Sequence, residues 1–256
     1  GKKISFTSFF SSVQACAKAL KAIGVKFGDI VTLALPTAPE TVYLFYALNR
    51  IGAISNAMDP RLRKTDFLRS IKETNSKYVF ATDMSIPELL EIANEHEITI
   101  VQVSPFVSAP IAIKFLATAK SKTRNSTIDW KNFLAQGKSY TGNIDEPFRE
   151  NTPVTIVHTG GTTGIPKGVV LTNENFNAMA LTQEVSGFNL AEKDSFLTFL
   201  PPFIAYCLVN AIHDPLYLGF ENTLIPKFEY ADFPKLILKH KPNHVLGGPI
   251  LWDSLI

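Results

Sequence analysis

Ten consecutive residues, Thr159-Gly160-Gly161-Thr162-Thr163-Gly164-Ile165-Pro166-Lys167-Gly168, combine the side chains and the spacing needed to hold an anion. Gly160, Gly161, Gly164 and Gly168 lack a Cβ, so the backbone can pass through positive φ angles and turn several N–H donors toward one centre. Thr159, Thr162 and Thr163 add hydroxyl donors, and Lys167, next to Pro166, supplies a point charge suited to phosphate oxygens. The chemistry this predicts is phosphate binding. It is not that of a Walker A loop, in which glycine precedes the lysine and a hydroxyl residue follows it to hold magnesium. Here those places are taken by Pro166 and Gly168.

Other candidate motifs carry less. His240 and His244 have the i, i+4 spacing of a metal pair, but Pro242 between them breaks the helix that spacing requires. His158, directly before the loop, reads as a packing or nucleotide-contacting residue rather than a catalytic one. Neither a Gly-x-Ser-x-Gly elbow nor a Gly-x-Gly-x-x-Gly turn is present. Asn125-Ser126-Thr127 fits a glycosylation acceptor, which without a secretory signal reads as chance.

The glycine-rich stretch resembles the Thr-Ser/Gly-Gly-Thr-Thr-Gly-x-Pro-Lys-Gly signature of the adenylate-forming superfamily of acyl- and aryl-CoA ligases, luciferases and peptide-synthetase adenylation domains. Gly24 to Val31, Pro39-Glu40, Gly52-Ala53-Ile54, Asp59-Pro60 and Gly247-Gly248-Pro249 resemble further blocks of the same superfamily, so the likeness covers nearly the whole chain. The resemblance implies the N-terminal part of an AMP-binding domain, in which Thr159, Gly160, Gly161, Thr162, Thr163, Gly164, Pro166, Lys167 and Gly168 hold the phosphates of ATP and Thr159 touches Mg2+. It implies an enzyme that activates a fatty or aryl carboxylic acid as an acyl-adenylate and passes the acyl group to coenzyme A. It also places the adenine and ribose contacts and the adenylation lysine after Ile256, so the 256 residues alone are expected to be an inactive fragment. One segment departs from the family. In Leu200-Pro201-Pro202-Phe203-Ile204-Ala205-Tyr206-Cys207, Ile204 stands where many acyl-CoA ligases have histidine, which suits an apolar carboxylate. Phe203, Ile204 and Tyr206 are therefore expected in an acyl pocket, with ordinary core packing as the competing reading. A non-catalytic nucleotide-binding or scaffold module, and a phosphotransferase, remain the alternative classes.

Composition narrows the setting. Lys plus Arg number 25 against 23 Asp plus Glu, a formal charge of +2, so no broad electrostatic attraction to nucleic acid is expected. Cys16 and Cys207 are too few for a disulfide framework, and no signal peptide or membrane-spanning run is visible, which fits a cytoplasmic protein. The apolar run from Pro105 to Leu116, followed by Lys120, Lys122 and Arg124, allows weak peripheral contact with anionic membranes, against burial in a core.

The elements that must position the loop follow from periodicity. Phe9, Val13, Cys16, Leu20 and Ile23 mark a helix ending at Gly24, and Ile30 to Leu35 a strand. Helices are expected from Glu40 to Ile51, from a Thr65 cap to Thr74, and from a Ser85/Glu88 capping box to His96, with strands at Tyr78–Ala81 and Ile98–Val103. Regularity weakens between Ser104 and Pro147. Strand Val154–Val157 then leads into the loop, a helix starts near Asn173, and strands at Phe196–Phe199, Asn222–Ile225 and His244–Leu246 alternate with helices in Phe203–Leu218 and Phe233–His240. Ile250 to Ile256 reads as the first turns of a further helix. The pattern predicts an α/β fold of largely parallel sheets flanked by helices, in two subdomains near 1–150 and 151–256 and incomplete at the C-terminus.

Overall fold

The computed structural model describes residues 3–104, 127–160, 166–187 and 190–255. Residues 105–116, read above as a membrane-contact candidate, and Gly161 to Ile165 of the loop lie outside the described residues. Among the described residues, seven strands form one sheet in the order β5-β4-β3-β1-β2-β6-β7 and three form a second in the order β10-β8-β9. The first comprises β1 (Ile30–Ala34), β2 (Ile54–Ala57), β3 (Tyr78–Ala81), β4 (Thr99–Gln102), β5 (Ile128–Asp129), β6 (Pro153–His158) and β7 (Gly168–Thr172). The second comprises β8 (Ser195–Thr198), β9 (Glu221–Leu224) and β10 (His244–Val245). All pairings are parallel except β6 with β7, so the α/β, largely parallel architecture is the one found.

Parallel strands need long crossovers, and helices supply them. Helix α1 (Phe6–Ala22) is capped by Ser5, whose Oγ accepts from Ser8 N, and buries Val13, Cys16, Ala17, Ala19 and Leu20. Burial pushes the Cys16 thiol well above its ordinary range, as expected for an inert core cysteine. Helix α2 (Pro39–Arg50) starts on Pro39 and is buried along most of its length. Together with β1, these helices enclose the largest apolar cluster, which extends to Phe80, Trp130 and Phe133.

Two expected caps are not formed. Helix α3 (Lys64–Thr74) begins one residue before Thr65, with Arg63 in the cap position. Its Lys64 N–H is satisfied from a distance, by Glu88 Oε2 of α4 (Ile86–Ala93) at 3.0 Å. Ser85 has helical φ and ψ, and its hydroxyl donates to the Pro60 carbonyl at 2.6 Å. Both members of the expected capping box thus serve neighbouring segments, a choice that only the packed structure can make. Helix α4 accordingly ends at Ala93, short of His96. Strands β2, β5 and β7 and helix α5 (Trp130–Gln136) were not anticipated: β5 has only two residues, and β2 is defined by its pairing with β1 and β6.

In the second half, α6 (Asn173–Val185) is fixed by a reciprocal capping box between Thr172 and Asn175. The expected apolar helix after Phe203 is a π-helical turn, Cys207–His213, running into α7 (Asp214–Tyr217). Pro215 explains the widening. It has no N–H to give the carbonyl of Ala211 four residues earlier, and its ring would crowd that oxygen in a regular helix. The Ala211 oxygen is instead met by Asn222 Nδ2 at 2.7 Å and Thr198 Oγ1 at 2.6 Å, which locks the helix onto β8 and β9. Helices α8 (Phe233–His240) and α9 (Pro249–Trp252) complete the described chain.

Beside Pro215, Tyr46 Oη lies 3.0 Å from His213 Nδ1, and burial pushes the His213 pKa down to about 4. Asp214 is 2 % exposed, and neither of its carboxylate oxygens has a hydrogen-bond partner. Desolvation raises its pKa to about 6.

Two predictions follow from this packing. At Gly137 a Cβ would lie 2.6 Å from the backbone nitrogen of Ala19, so Gly137→Ala forces the 137–139 turn away from α1; a loss of about 1–3 kcal/mol is expected in urea denaturation. Asp214 binds its proton more tightly in the folded chain than its ordinary value of 3.8 allows, so stability present at low pH is lost as pH rises from about 4 to about 6. Asp214→Asn should therefore raise Tm by roughly 3 °C at pH 7.5 and by progressively less toward pH 4, measured by calorimetry across that range. A pH-independent shift would mean that the carboxylate charge is not the cause.

Candidate phosphate loop and apolar cleft

Strand β6 delivers the loop. It pairs in parallel with β2 and antiparallel with β7, so the residues flanking the glycine-rich stretch face each other as His158 with Gly168. Beyond that pair, Thr159 N donates to Lys167 O at 3.0 Å, and Lys167 N donates to Thr159 Oγ1 at 3.2 Å. These bonds close the loop at its stem. Gly168 is needed there for space, because a Cβ would come within 3.0 Å of Ile156 Cγ2. At Gly160 an added Cβ would meet nothing within 4 Å, so the start of the loop borders open space. Thr159, Gly160, Pro166, Lys167 and Gly168 are all exposed. Gly161, Thr162, Thr163 and Gly164 fall outside the described residues.

The strand directions decide what lies next to the loop. Because β1, β2 and β6 are parallel, their carboxyl ends meet one edge of the sheet, the usual place for ligands in open α/β folds. The second sheet is brought to the same edge by Thr37, which follows β1 and donates from Oγ1 to the Leu200 carbonyl, two residues past β8, at 2.6 Å. Between them is a narrow apolar cleft. Its lining includes Leu33 of β1 and Leu35 just after it, Ser55 and Ala57 of β2, Phe45 of α2, and Phe203. Ser55 presents little polarity to it, since its hydroxyl donates to Thr155 Oγ1 at 2.7 Å. The cleft encloses only about 10 Å³, room for about one water, with Pro202 and Phe203 packed across it. Ala57 is also the register partner of Val157, one residue before His158, so the cleft floor and the loop base belong to adjacent strands.

Of the three residues expected around an acyl group, Phe203 lines this cleft. Ile204 and Tyr206, 43 % and 46 % exposed, stand on the adjoining turn. His158 is half-buried, with Nε2 2.8 Å from Asn56 Oδ1, while burial lowers its pKa against an opposing pull from Glu73. His244 is 2.7 Å from Asp194 Oδ2 and stacks on Phe220. Among the described residues no cluster of three or more His, Cys, Asp or Glu side chains could hold a metal ion. Sequence reading missed Asn56 and Thr37, whose partners are 102 and 163 residues away.

A glycine-rich hairpin stem beside an apolar cleft at the carboxyl edge of a mostly parallel sheet flanked by helices defines the class of an α/β domain. The chain belongs to the AMP-binding enzyme family, whose model matches residues 1–256. It is 27 % identical over 266 residues to the long-chain-fatty-acid–CoA ligase of Bacillus subtilis, covering 100 % of this chain and 48 % of that protein. It is 27 % identical over 239 residues to the 4-coumarate–CoA ligase of Vanilla planifolia, covering 91 % of this chain and 39 % of the relative. The chain thus spans less than half the length of these relatives. The fold superposes on the anthranilate CoA ligase AuaEII in complex with anthranoyl-AMP with a TM-score of 0.84, at 18 % identity, over 99 % of this chain and 46 % of that one.

The stem geometry yields a prediction. Thr159→Val keeps the branched shape and removes the hydroxyl that accepts from Lys167 N. Hydrogen exchange at the Lys167 amide should accelerate by about fivefold, while global stability changes by less than about 0.5 kcal/mol because the pair is exposed. Native-state exchange read by NMR checks both, and an unchanged Lys167 amide would remove Thr159 from the stem.

Proposed function

We propose that this chain is the N-terminal part of an ATP-dependent acyl-CoA synthetase that activates an apolar, fatty or aryl, carboxylic acid. The observation that carries this reading is the juxtaposition of an exposed glycine-rich loop stem with an apolar cleft on adjacent strands. The described residues fit this reading: Gly160 borders open space, and Lys167 is exposed. In this reading Thr159, Gly160, Gly161, Thr162, Thr163, Gly164, Pro166, Lys167 and Gly168 hold the β- and γ-phosphates. Thr159 Oγ1 accepts one bond from Lys167 N and keeps a second lone pair, which suits it as one of the few protein ligands that Mg2+ takes beside phosphate oxygens.

The reaction is in two balanced steps. A carboxylate oxygen attacks the α-phosphorus of ATP and pyrophosphate leaves; the thiol of coenzyme A then loses its proton to solvent and attacks the acyl carbon, and AMP leaves with the bonding pair. The chain's contribution to the first step is positional and electrostatic. Lys167 and the loop amides hold the leaving group in line and offset the charge that builds on it. The cleft provides no counter-charge for a substrate ammonium, which favours an acid with an apolar body over an amino acid. The free, buried thiols of Cys16 and Cys207 support a reducing, cytoplasmic setting.

Carboxylate-dependent ATP–pyrophosphate exchange by the full-length protein, with a panel of fatty and aryl acids, is the test. Lys167→Ala should lower the exchange rate by about 10²–10³-fold, on the order of 2.7–4 kcal/mol, with no change in Tm. An undiminished rate would remove Lys167 from the mechanism, and absence of exchange with every acid would overturn the ligase reading.

A further inference from the structure

The loop stem is anchored from behind by a buried line of polar groups whose proton order can be followed residue by residue. Thr74 Oγ1 lies 2.7 Å from the carbonyl oxygen of Ser70, which can only accept, so the Thr74 proton is spent there. In the 2.9 Å contact between Thr74 and Ser76 the Ser76 hydroxyl must then be the donor. Thr32 in turn donates to Ser76 Oγ at 3.1 Å, which leaves only lone pairs on Thr32 for the next residue. The Asn56 amide therefore presents Nδ2 to Thr32 at 3.1 Å and to Ser70 Oγ at 2.9 Å, and turns Oδ1 to His158 Nε2 at 2.8 Å. A carbonyl oxygen only accepts, so the imidazole proton sits on Nε2.

This contact matters because of where the ladder ends. The last residues paired between β2 and β6 are Ala57 and Val157, so His158 lies one residue past the backbone support that β2 gives. The Asn56–His158 bond extends that support by one residue, up to Thr159 and the stem. Asn56 is fully buried and all three of its polar positions are engaged, so it is a rigid anchor.

We propose that His158 is a positioning residue for the phosphate loop: Asn56 fixes its ring as the Nε2–H tautomer, and the fixed ring sets the end of β6 from which the loop stem starts. This rests on the phosphate-binding reading of the loop. The hydroxyl line Thr74, Ser76, Thr32 is what gives the Asn56 amide its orientation, so the loop is referenced to α3, on the far side of β2.

The tautomer is read directly by long-range 1H–15N correlation of the His158 ring in the full-length protein. A proton on Nε2 with bare Nδ1 at neutral pH is expected, and the reverse tautomer overturns the proposal. Function is read with two variants. His158→Phe keeps a ring but cannot donate, and should raise the KM for ATP by about fivefold to tenfold while kcat and the KM for the acid stay within about twofold. His158→Gln restores an N–H donor at a similar reach and should return the ATP KM to within about threefold of wild type. A fall in kcat alone, or a Gln variant no better than Phe, would show that the histidine merely packs. If the wild type catalyses no exchange, the ligase reading fails while the positioning claim is decided by the Thr159 amide, whose hydrogen exchange should be faster in the Phe than in the Gln variant. Equal rates overturn it.

Discussion

Parallel pairing of β1, β2 and β6 is the constraint on which the rest depends. It brings the carboxyl ends of three strands to one edge, and with them the segments that begin at Leu35, Met58 and Thr159. Strands joined in this sense cannot be linked by tight turns, so the return from β1 to β2 is made by the buried helix α2, while α1 leads into β1 and shares its core with α2. The antiparallel strand β7 is the exception that makes the loop: reversing direction after β6 turns the glycine-rich stretch into a hairpin whose stem bonds, Thr159 to Lys167, hold its two ends together.

A second theme is the handling of polar groups in the interior. The Ala211 carbonyl, deprived of a donor by Pro215, is met by Asn222 and Thr198 from the adjacent sheet. Ser55 and Thr155 satisfy one another beneath the cleft, which keeps its lining apolar. Asn56 joins α3, β1, β2 and β6 through one amide. A buried, satisfied network of this kind fixes geometry because any displacement leaves a partner unmade, at a cost of about 1–3 kcal/mol. Asp214 is the contrary case, buried without a hydrogen-bond partner, and its raised pKa is the direct expression of that cost.

Membership of the AMP-binding enzyme family and the cleft bear on one another. Identity to these relatives is 27 %, and the family match over residues 1–256 agrees with the α/β fold found. The side chains around the cleft are mostly apolar, and Phe203 is among them.

Much of this was legible in the sequence, where the signal was local. The glycine and threonine run stood out as a loop after β6, the 3.6-residue spacing of Val13, Cys16 and Leu20 declared α1, and strands such as Tyr78–Ala81 stood out as short β-rich runs between turn signals. What the sequence could not decide was which partner each polar group would take. Ser85 and Glu88 have the spacing of a capping box, yet packing gives one to Pro60 and the other to Lys64. β2 was overlooked because Ser55, Asn56 and Ala57 are not β-rich, so pairing with β1 and β6 rather than local composition defines it. The sequence by itself determined a mostly parallel α/β frame and a glycine-rich stretch directly after the strand Val154–Val157. Only tertiary structure decided that Asn56, 102 residues away, would stand behind His158, and that Thr37 would bring Leu200 and the second sheet to the same edge, because hydrogen bonds over such separations form only once the sheet has fixed strand order and register.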